Sequence, residues 1–346
     1  MKGIGFQQGF RALLFLVALG GIAACERGSE FHEISGHTMG TEWSVQFFGL
    51  PAGASRSEVE DDLEHLLEMI NRQMSIYRDD SDITRFNRAR AGETRVLPPD
   101  FYRVLTTALQ LAEDTGGAFD PTVGPLVELW GFGSEGRRNE PPTEEEIRAI
   151  RPKVGWERVE LNHDTRELTQ PGDLYLDVAA VAKGHAVDRL ADYLDARGVG
   201  SYLVSIGGDM RARGRKADGE PWRVAVERPQ AGTREIQRVI NPRDAGLASS
   251  GDYRNFFVHD GREYPHLIDP RTGYPVDHEL ASVSVLHPRA KMADGLATAL
   301  AVLGPGEALE FAEQRGLAVF LVERSGDEFR EHMTPEFAAY LDEDMN

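Results

Sequence analysis

The sequence contains a single cysteine, Cys25, among 346 residues. A lone thiol can form no disulfide within its own chain, so the folded state depends on its apolar core for stability. Neither an H-E-x-x-H nor a C-x-x-C pattern occurs, and the ten histidines are scattered. The sequence therefore offers no recognisable zinc site.

Basic residues are scarce as well. The chain has 38 Lys and Arg against 57 Asp and Glu, a net charge of −19. Sequence-independent nucleic-acid binding requires a basic face, so we expect no nucleic-acid partner. Internal repeats are absent, and no Gly/Ser/Pro-rich linker interrupts the chain between Gly36 and about Tyr340. We predict one large α/β (α+β) domain with mixed and antiparallel sheets flanked by helices, and leave a division into two lobes open.

The longest hydrophobic run near the N-terminus, residues 12–20, is too short to span a membrane, which takes about 20 residues. Two basic residues precede this run and small residues follow it, so we predict a signal peptide over residues 1–24. Cys25 then stands where a bacterial lipobox has its lipidated cysteine; an ordinary signal peptide with a chance cysteine is the alternative. Lipidation would hold the protein on the periplasmic face of a bacterial membrane, more plausibly the inner one. Residues 25–35 are predicted to be a polar tether, and residues 36–342 the folded domain.

The segment from Leu174 to His185 is predicted to organise the chain. It reads as a short strand, residues 174–176, followed by a helix with one apolar stripe that ends near Gly198. Asp177 stands at the joint and Lys183 follows shortly after. Oriented backbone amides with a nearby lysine suit a phosphate group. The alternative is that Asp177 is only a helix cap and Lys183 only a solvated side chain.

Asp294 and Thr298 are one helical turn apart, and their hard oxygen ligands suit Mg²⁺. On these residues alone, the favoured interpretation is that Asp294 is an N-cap and Thr298 an ordinary helix residue. His266, in a loop, could act as a general base or simply be solvated. Tyr77 and Phe119 could stack on a planar ring or belong to the peripheral core.

Two glycine patterns need separate interpretation. Residues 131–136 match G-x-G-x-x-G by letter, but they do not join a strand to a helix, so we reject them as a dinucleotide fingerprint. Gly207 and Gly208 follow a predicted buried strand. They permit either the close approach of a ligand or a plain tight turn.

Taken together, these signals resemble the ApbE family of FAD:protein FMN transferases from about Gly36 to Leu303. Eight segments match the family's blocks in order, which is far more specific than any single block. The segments are His37–Thr41, Ser75–Asn87, Gly117–Gly124, Leu176–Gly184, Ile206–Asp209, Ser249–Arg254, His266–Gly273 and Ala293–Thr298.

The resemblance implies that FAD is cleaved at its pyrophosphate, that FMN is joined by a phosphoester to a threonine of a target protein, and that AMP leaves. The implied targets are flavin-carrying subunits of membrane redox complexes of the quinone reductase type, and the implied cofactor is Mg²⁺. Asp294 and Thr298 would hold the metal by side chain and Ala180 by its backbone carbonyl, while His266 and Asp294 would be catalytic. The implied FAD contacts are Met39, Tyr77, Ala118, Phe119, Asp120, Asp177, Lys183, His266 and Ile268.

Ala179 and Ala180 replace residues that are often glycine in the family, and Ser205 replaces a frequent asparagine. A carbonyl ligand does not depend on the side chain, so the metal site is little affected. Two other functions stay open at this point: a periplasmic Mg²⁺-dependent FAD pyrophosphatase, and a lipid-tethered flavin-binding protein without turnover.

Overall fold

The computed structural model describes residues 30–133, 136, 138–230, 232, 235–326 and 328–342. The predicted signal peptide and Cys25 lie outside the described residues. The first strand begins at Phe31, so the tether was predicted to extend too far: residues 31–35 belong to the folded domain and pair with residues 44–48. No helix among the described residues is both long and apolar enough to cross a membrane.

The strands and helices alternate irregularly along the chain. The strands are β1 Phe31–Thr38, β2 Thr41–Phe48, β3 Thr94–Val96, β4 Glu160–Asn162, β5 Glu167–Thr169, β6 Tyr202–Ile206, β7 Asp209–Arg213, β8 Val224–Glu227, β9 Ile236–Ile240, β10 Gly246–Gly251, β11 Phe256–His259, β12 Arg262–Pro265, β13 Ile268–Asp269, β14 Tyr274–Pro275, β15 Leu280–His287, β16 Ala318–Ser325 and β17 Glu328–Met333. The helices are α1 Arg56–Met74, α2 Asp82–Asn87, α3 Pro99–Asp114, α4 Gly124–Leu129, α5 Glu144–Ile150, α6 Ala179–Ala196, α7 Ala290–Leu303, α8 Pro305–Arg315 and α9 Pro335–Ala338.

One eight-stranded sheet, in the order β1-β2-β6-β7-β10-β15-β16-β17, carries the fold. All of its strand pairs are antiparallel, so the antiparallel part of the prediction is confirmed, whereas no parallel pair occurs among the described strands. Alternation of side chains gives the sheet two covered faces. Val204 and Ile206 of β6 point into the main core with α1, α3, α6 and α7, whereas Leu203 contacts a smaller core around Phe320 and Phe337 on the other face.

Two glycines allow α7 to lie unusually close to its neighbours. A Cβ atom at Gly184 of α6 would lie 2.5 Å from the carbonyl oxygen of Ala290, and one at Gly246 of β10 would lie 2.7 Å from the Cα of the same residue. Real Cβ atoms do not make contacts this short, so these positions require glycine. They bring the start of α7 against both α6 and the sheet.

The predicted strand at residues 174–176 is extended but belongs to no sheet. Side-chain amides replace the missing strand partner. The Leu176 N–H donates to Asn87 Oδ1 (2.8 Å), and Asn87 Nδ2 donates to the carbonyl of Leu176 (2.9 Å). Gln170 makes the same pair of bonds with Leu174. The helix that follows is confirmed: α6 ends at Ala196, and Gly198 adopts a left-handed φ of 78°.

Three further sequence patterns agree with the structure. Residues 99–114 predict a helix, Thr143 with Glu146 predicts a capping box, and Asp260 with Gly261 predicts a hairpin turn. All three are present. The polar residues 74–82 predict a loop, and this prediction does not include α2, which begins at Asp82. The Ser81 hydroxyl accepts a bond from the Thr84 N–H (3.1 Å) and starts this helix.

Candidate functional site

A cleft of about 720 Å³ opens between the first turns of α6, helix α7, the β6–β7 turn and the loops around residues 118–127 and 253–255. It is large enough for a cofactor-sized ligand. Most of the site residues predicted from the sequence line it, although they are spread over 181 positions of the chain (118 to 298). They are Ala118, Phe119, Asp120, Asp177, Ala180, Lys183, His266, Ile268, Asp294 and Thr298.

Two buried carboxylates and one ammonium group form a polar cluster at the cleft: Lys183 and Asp294 line it, and Asp209 contacts Lys183. Lys183 Nζ lies 2.6 Å from Asp209 Oδ2 and 3.5 Å from Asp294 Oδ1. Burial opposes the charge on Lys183, but the two carboxylates outweigh it and raise the pKa of the ammonium, which stays protonated. The interpretation of Lys183 as a merely solvated side chain is therefore wrong.

Asp294 is only 4% exposed and lies in the second turn of α7. It is not the N-cap, because α7 begins at Ala290. One of its oxygens accepts the Gly184 N–H (3.0 Å), a contact that the close α6–α7 packing makes possible. Burial and the negative charge of Asp209 raise the pKa of Asp294, while Lys183 opposes the rise.

The N-terminus of α7 is capped from another helix. Asp188 of α6 is fully buried and accepts bonds from the N–H groups of Ala290 (3.0 Å) and Lys291 (3.1 Å). Arg211 and Arg289 balance its charge at 3.2 and 3.3 Å. Asp188 therefore fixes where α7 starts and, through the helix, where Asp294 and Thr298 lie.

Hydroxyl groups continue the polar surface from the carboxylates. Thr298 Oγ1 and Ser250 Oγ share a hydrogen bond of 3.2 Å, and Ser249 bonds Ser284 at 2.7 Å; all four residues line the cleft. Among the described residues no group of three or more His, Cys, Asp or Glu could hold a metal ion. The donor set at α7 is instead one carboxyl group with neighbouring hydroxyls. Hard oxygens of this kind fit Mg²⁺, which keeps most of its shell for water and phosphate.

The predicted phosphate site at the start of α6 is only partly free. Asp177 is not the N-cap of α6, which is Val178, but its Oδ1 accepts the N–H of Ala179 (2.9 Å), so one amide of the first turn is occupied. Burial raises the pKa of Asp177, and this bond opposes the rise. Asp177, Ala180 and Lys183 nevertheless line the same wall of the cleft.

His266 is held in a defined tautomer. Its Nδ1 lies 3.2 Å from the carbonyl oxygen of Asn255, which can only accept, so Nδ1 carries the proton. Nε2 then has a free lone pair. Burial lowers the pKa of His266 below 6.5, and the Asn255 bond opposes the shift only in part. The imidazole is therefore neutral at pH 7 and able to accept a proton.

An apolar wall faces the polar cluster. Ala118, Phe119 and Ile268 are buried there. Asp120 lines the same wall, but its carboxylate already accepts three bonds, two from Thr122 (2.7 and 2.6 Å) and one from the N–H of Trp156 (3.1 Å). Asp120 therefore shapes the loop that carries Phe119 rather than offering a free carboxylate.

Two predicted residues do not line the cleft. Met39 lies in the β1–β2 turn with a positive φ of 50° and packs against the core. Tyr77 is 73% exposed. Local desolvation and the charges of Asp177 and Glu128 raise the pKa of the Tyr77 phenol.

Sequence reasoning missed Asp209, Asn255 and Asp188. Asp209 had a visible signal, because it follows directly after Gly207 and Gly208. These glycines form the β6–β7 turn with positive φ, which confirms the tight turn. They also line the cleft, and the close approach of a ligand stays a prediction. Asn255 acts through its backbone carbonyl, and Asp188 acts on a helix 102 positions away; neither leaves a local sequence signal.

Comparisons with known proteins agree with this site. The sequence model of the ApbE family matches residues 39–321. The FAD:protein FMN transferase of Vibrio cholerae is 40% identical over 329 residues, covering 95% of this chain and 98% of the relative; that of Escherichia coli K12 is 37% identical, covering 92% and 91%.

Solved structures give the same result. The flavin transferase ApbE from Vibrio cholerae superimposes with a TM-score of 0.83 at 39% identity, covering 90% of this chain and all of that one. The apo flavinyl transferase ApbE from Pseudomonas stutzeri gives the same TM-score and identity over 90% and 97%. Because the family model, the relatives and the solved structures all match over most of its length, the chain belongs to the ApbE family.

Proposed function

We propose that this chain is an FAD:protein FMN transferase that depends on Mg²⁺. The observation that carries the proposal is that Lys183, Asp294 and a neutral His266 line one cleft, with Lys183 held by the buried Asp209. Phosphoryl transfer needs positioning and charge neutralisation more than covalent participation by the enzyme. The cleft offers both to the pyrophosphate of FAD, and its apolar wall with Phe119 offers contact area to a planar ring.

Asp294 and Thr298 would hold Mg²⁺ by their side chains and Ala180 by its carbonyl. The bound ion supplies charge neutralisation at the scissile phosphate. Lys183 adds positive charge in the same region, and Asp209 holds its ammonium in place through the 2.6 Å contact. In a chain with net charge −19, the bound ion and Lys183 together would offset the general repulsion of an anionic dinucleotide.

His266 would take the proton from a threonine hydroxyl of the acceptor. The threonine oxygen then forms a bond to the FMN phosphorus, the bond between that phosphorus and the bridging oxygen breaks, and AMP leaves with that oxygen. The carbonyl of Asn255 keeps Nδ1 protonated, so Nε2 is the nitrogen that accepts the proton. Water in place of threonine would make the same groups a pyrophosphatase.

The test is to incubate the purified chain with FAD, Mg²⁺ and the flavin-carrying subunit of a sodium-pumping quinone reductase. We expect mass spectrometry to find FMN on one threonine of that subunit and an equal amount of AMP. Asp294→Asn should abolish the product, while the exposed turn variant Asp260→Asn should not. Free FMN without labelled subunit would refute transfer in favour of hydrolysis, and FAD bound without AMP release would refute both.

We also propose that Cys25 carries lipid and that the enzyme works on the periplasmic face of a bacterial membrane. Five residues separate Cys25 from β1, so the tether reaches at most roughly 20 Å. Such a tether suits acceptors that are subunits of membrane redox complexes. Labelled palmitate should be incorporated into the full chain and not into Cys25→Ser, which should also leave the membrane fraction. Equal incorporation by both would refute the anchor.

A further inference from the structure

A second cavity of about 510 Å³ adjoins the cleft, and we call it the aromatic groove because Trp130, Tyr264 and Tyr274 line it. The two cavities share Val302. Segment 268–271 forms the wall between them: Ile268 and Pro270 line the cleft, whereas Asp269 and Arg271 line the groove. A molecule in the groove therefore lies directly beside the flavin site.

A row of aromatic rings connects the groove to His266. The rings follow one another at centroid distances of 5.1 to 6.3 Å, and most are only half-buried. Starting from the imidazole, the row is His266, Phe132, Phe257, Tyr264, Trp130 and Tyr274. Partly exposed aromatic side chains in contact with one another are typical of binding surfaces.

Free strand edges border the groove. Strands β11 and β12 form one two-stranded ribbon, and β13 and β14 form another; neither ribbon pairs with a third of the described strands. Residues of both β12 and β14 line the groove. An edge strand presents unpaired N–H and C=O groups, to which an extended peptide can add as a further strand. The edge that can pair in this way is β12, because Pro275 of β14 has no N–H and the Tyr274 N–H donates to Thr272 Oγ1 (3.2 Å).

The side chains of the groove also suit a polypeptide. Tyr274 is 43% exposed, and the Arg262 guanidinium lies 5.2 Å above the Tyr264 ring. Tyrosine, tryptophan and arginine are the residues that most often carry the binding energy of protein interfaces. The charged residues lining the groove nearly balance, in contrast to the chain as a whole: Arg262 and Arg271 against Glu263, Asp269 and Asp277.

We propose that the aromatic groove binds the extended segment of the acceptor protein that flanks its reactive threonine. This inference rests on the proposed transferase function, in which a polypeptide hydroxyl must reach His266 while FAD fills the cleft. The adjoining groove, joined to His266 by the row of rings, is the surface from which that segment can enter. Backbone pairing gives affinity, and the rings determine which flanking side chains are accepted.

Steady-state transfer kinetics test the proposal, with the quinone reductase subunit as acceptor. Tyr274→Ser should raise the KM for the acceptor by about tenfold or more, as expected for loss of an interface aromatic. The KM for FAD should stay within about twofold of wild type. The matched control is Phe31→Ser, which removes an aromatic ring of similar exposure, 49%, from the edge strand β1. It should leave both KM values unchanged.

A photo-crosslinking amino acid at position 274 provides a second measurement that does not depend on turnover. We expect it to capture the acceptor within a few residues of its threonine, and the same group at position 31 to capture none. An unchanged acceptor KM in Tyr274→Ser, an equal rise in Phe31→Ser, or crosslinks remote from the threonine would overturn the groove assignment. If the wild-type enzyme labels no acceptor, the proposed function itself fails, which is a different result.

Discussion

Replacing Gly184 by alanine tests whether the close approach of α6 and α7 builds the site. In an unobstructed helix interior, Gly→Ala stabilises a protein by about 1 kcal/mol. At position 184 the new Cβ would lie 2.5 Å from the Ala290 oxygen and 2.7 Å from the Lys291 Cα. Both are backbone atoms, so relief requires the helices to move apart rather than a side chain to rotate.

Overpacking of this kind costs about 1–3 kcal/mol. Because the obstructing atoms are backbone, we expect the cost to lie in the upper part of that range and to exceed the gain in helix propensity. The net effect should be a loss of about 1–2 kcal/mol in the free energy of unfolding. Separation of the helices would also lengthen the 3.0 Å bond from the Gly184 N–H to Asp294, so the activity should fall as well.

Urea unfolding followed by circular dichroism is the assay, with Gly306→Ala as the matched control. Gly306 lies in the first turn of α8, and a Cβ there would meet nothing within 4 Å. This control should leave stability unchanged or raise it by up to about 1 kcal/mol. If Gly184→Ala were as stable as wild type, or gained stability like the control, the reasoning about close helix packing would be refuted.

Three further predictions concern the same cleft. Asp188→Ala should lower the free energy of unfolding by about 3–5 kcal/mol in urea titrations, because its two arginine partners lose a buried counter-charge. Asp188→Asn keeps an oxygen for the α7 amides and should lower it by less. Equal losses in the two variants would contradict the capping role. In a plot of the transfer rate against pH, the fall on the acid side should lie below pH 6.5. Burial lowers the pKa of His266, so the neutral base is lost only as the pH falls through that lowered value. A fall that lies above pH 6.5 would exclude His266 as the base. Thr298→Val should raise the Mg²⁺ concentration needed for half-maximal activity more than Ser250→Ala does, and identical responses would remove Thr298 from the metal site.

Local signals predicted much of the fold. Apolar periodicity located α3 and α6, and capping residues located the start of α5, because these features depend on neighbours within one or two turns. Residues 174–176 show the limit of such signals. Their apolar pattern is that of a buried strand, and they are extended, yet their partners are the side chains of Asn87 and Gln170 rather than another strand.

The candidate site likewise has features that the sequence predicted and features that only the tertiary structure shows. Motif order identified the family to which the chain belongs and predicted Lys183, His266 and Asp294 as site residues, which the structure brings to one cleft. Residue chemistry predicted oxygen ligands and a base. The ion pair of Lys183 with Asp209, the tautomer of His266 and the capping of α7 by Asp188 were not predictable from spacing, since each joins residues 11 to 102 positions apart.

By itself, therefore, the sequence determined the element types, the family and the kinds of chemical group available, because propensity, capping and motifs are short-range properties of the chain. Only the tertiary structure decided that Asp294 is a buried carboxylate in a second helical turn and not a cap, that Asp120 shapes a loop, and that a groove of aromatic rings adjoins His266. These features follow from how closely helices and strands distant in the chain approach one another. That distance is set by glycines such as Gly184 acting across an interface, not along the sequence.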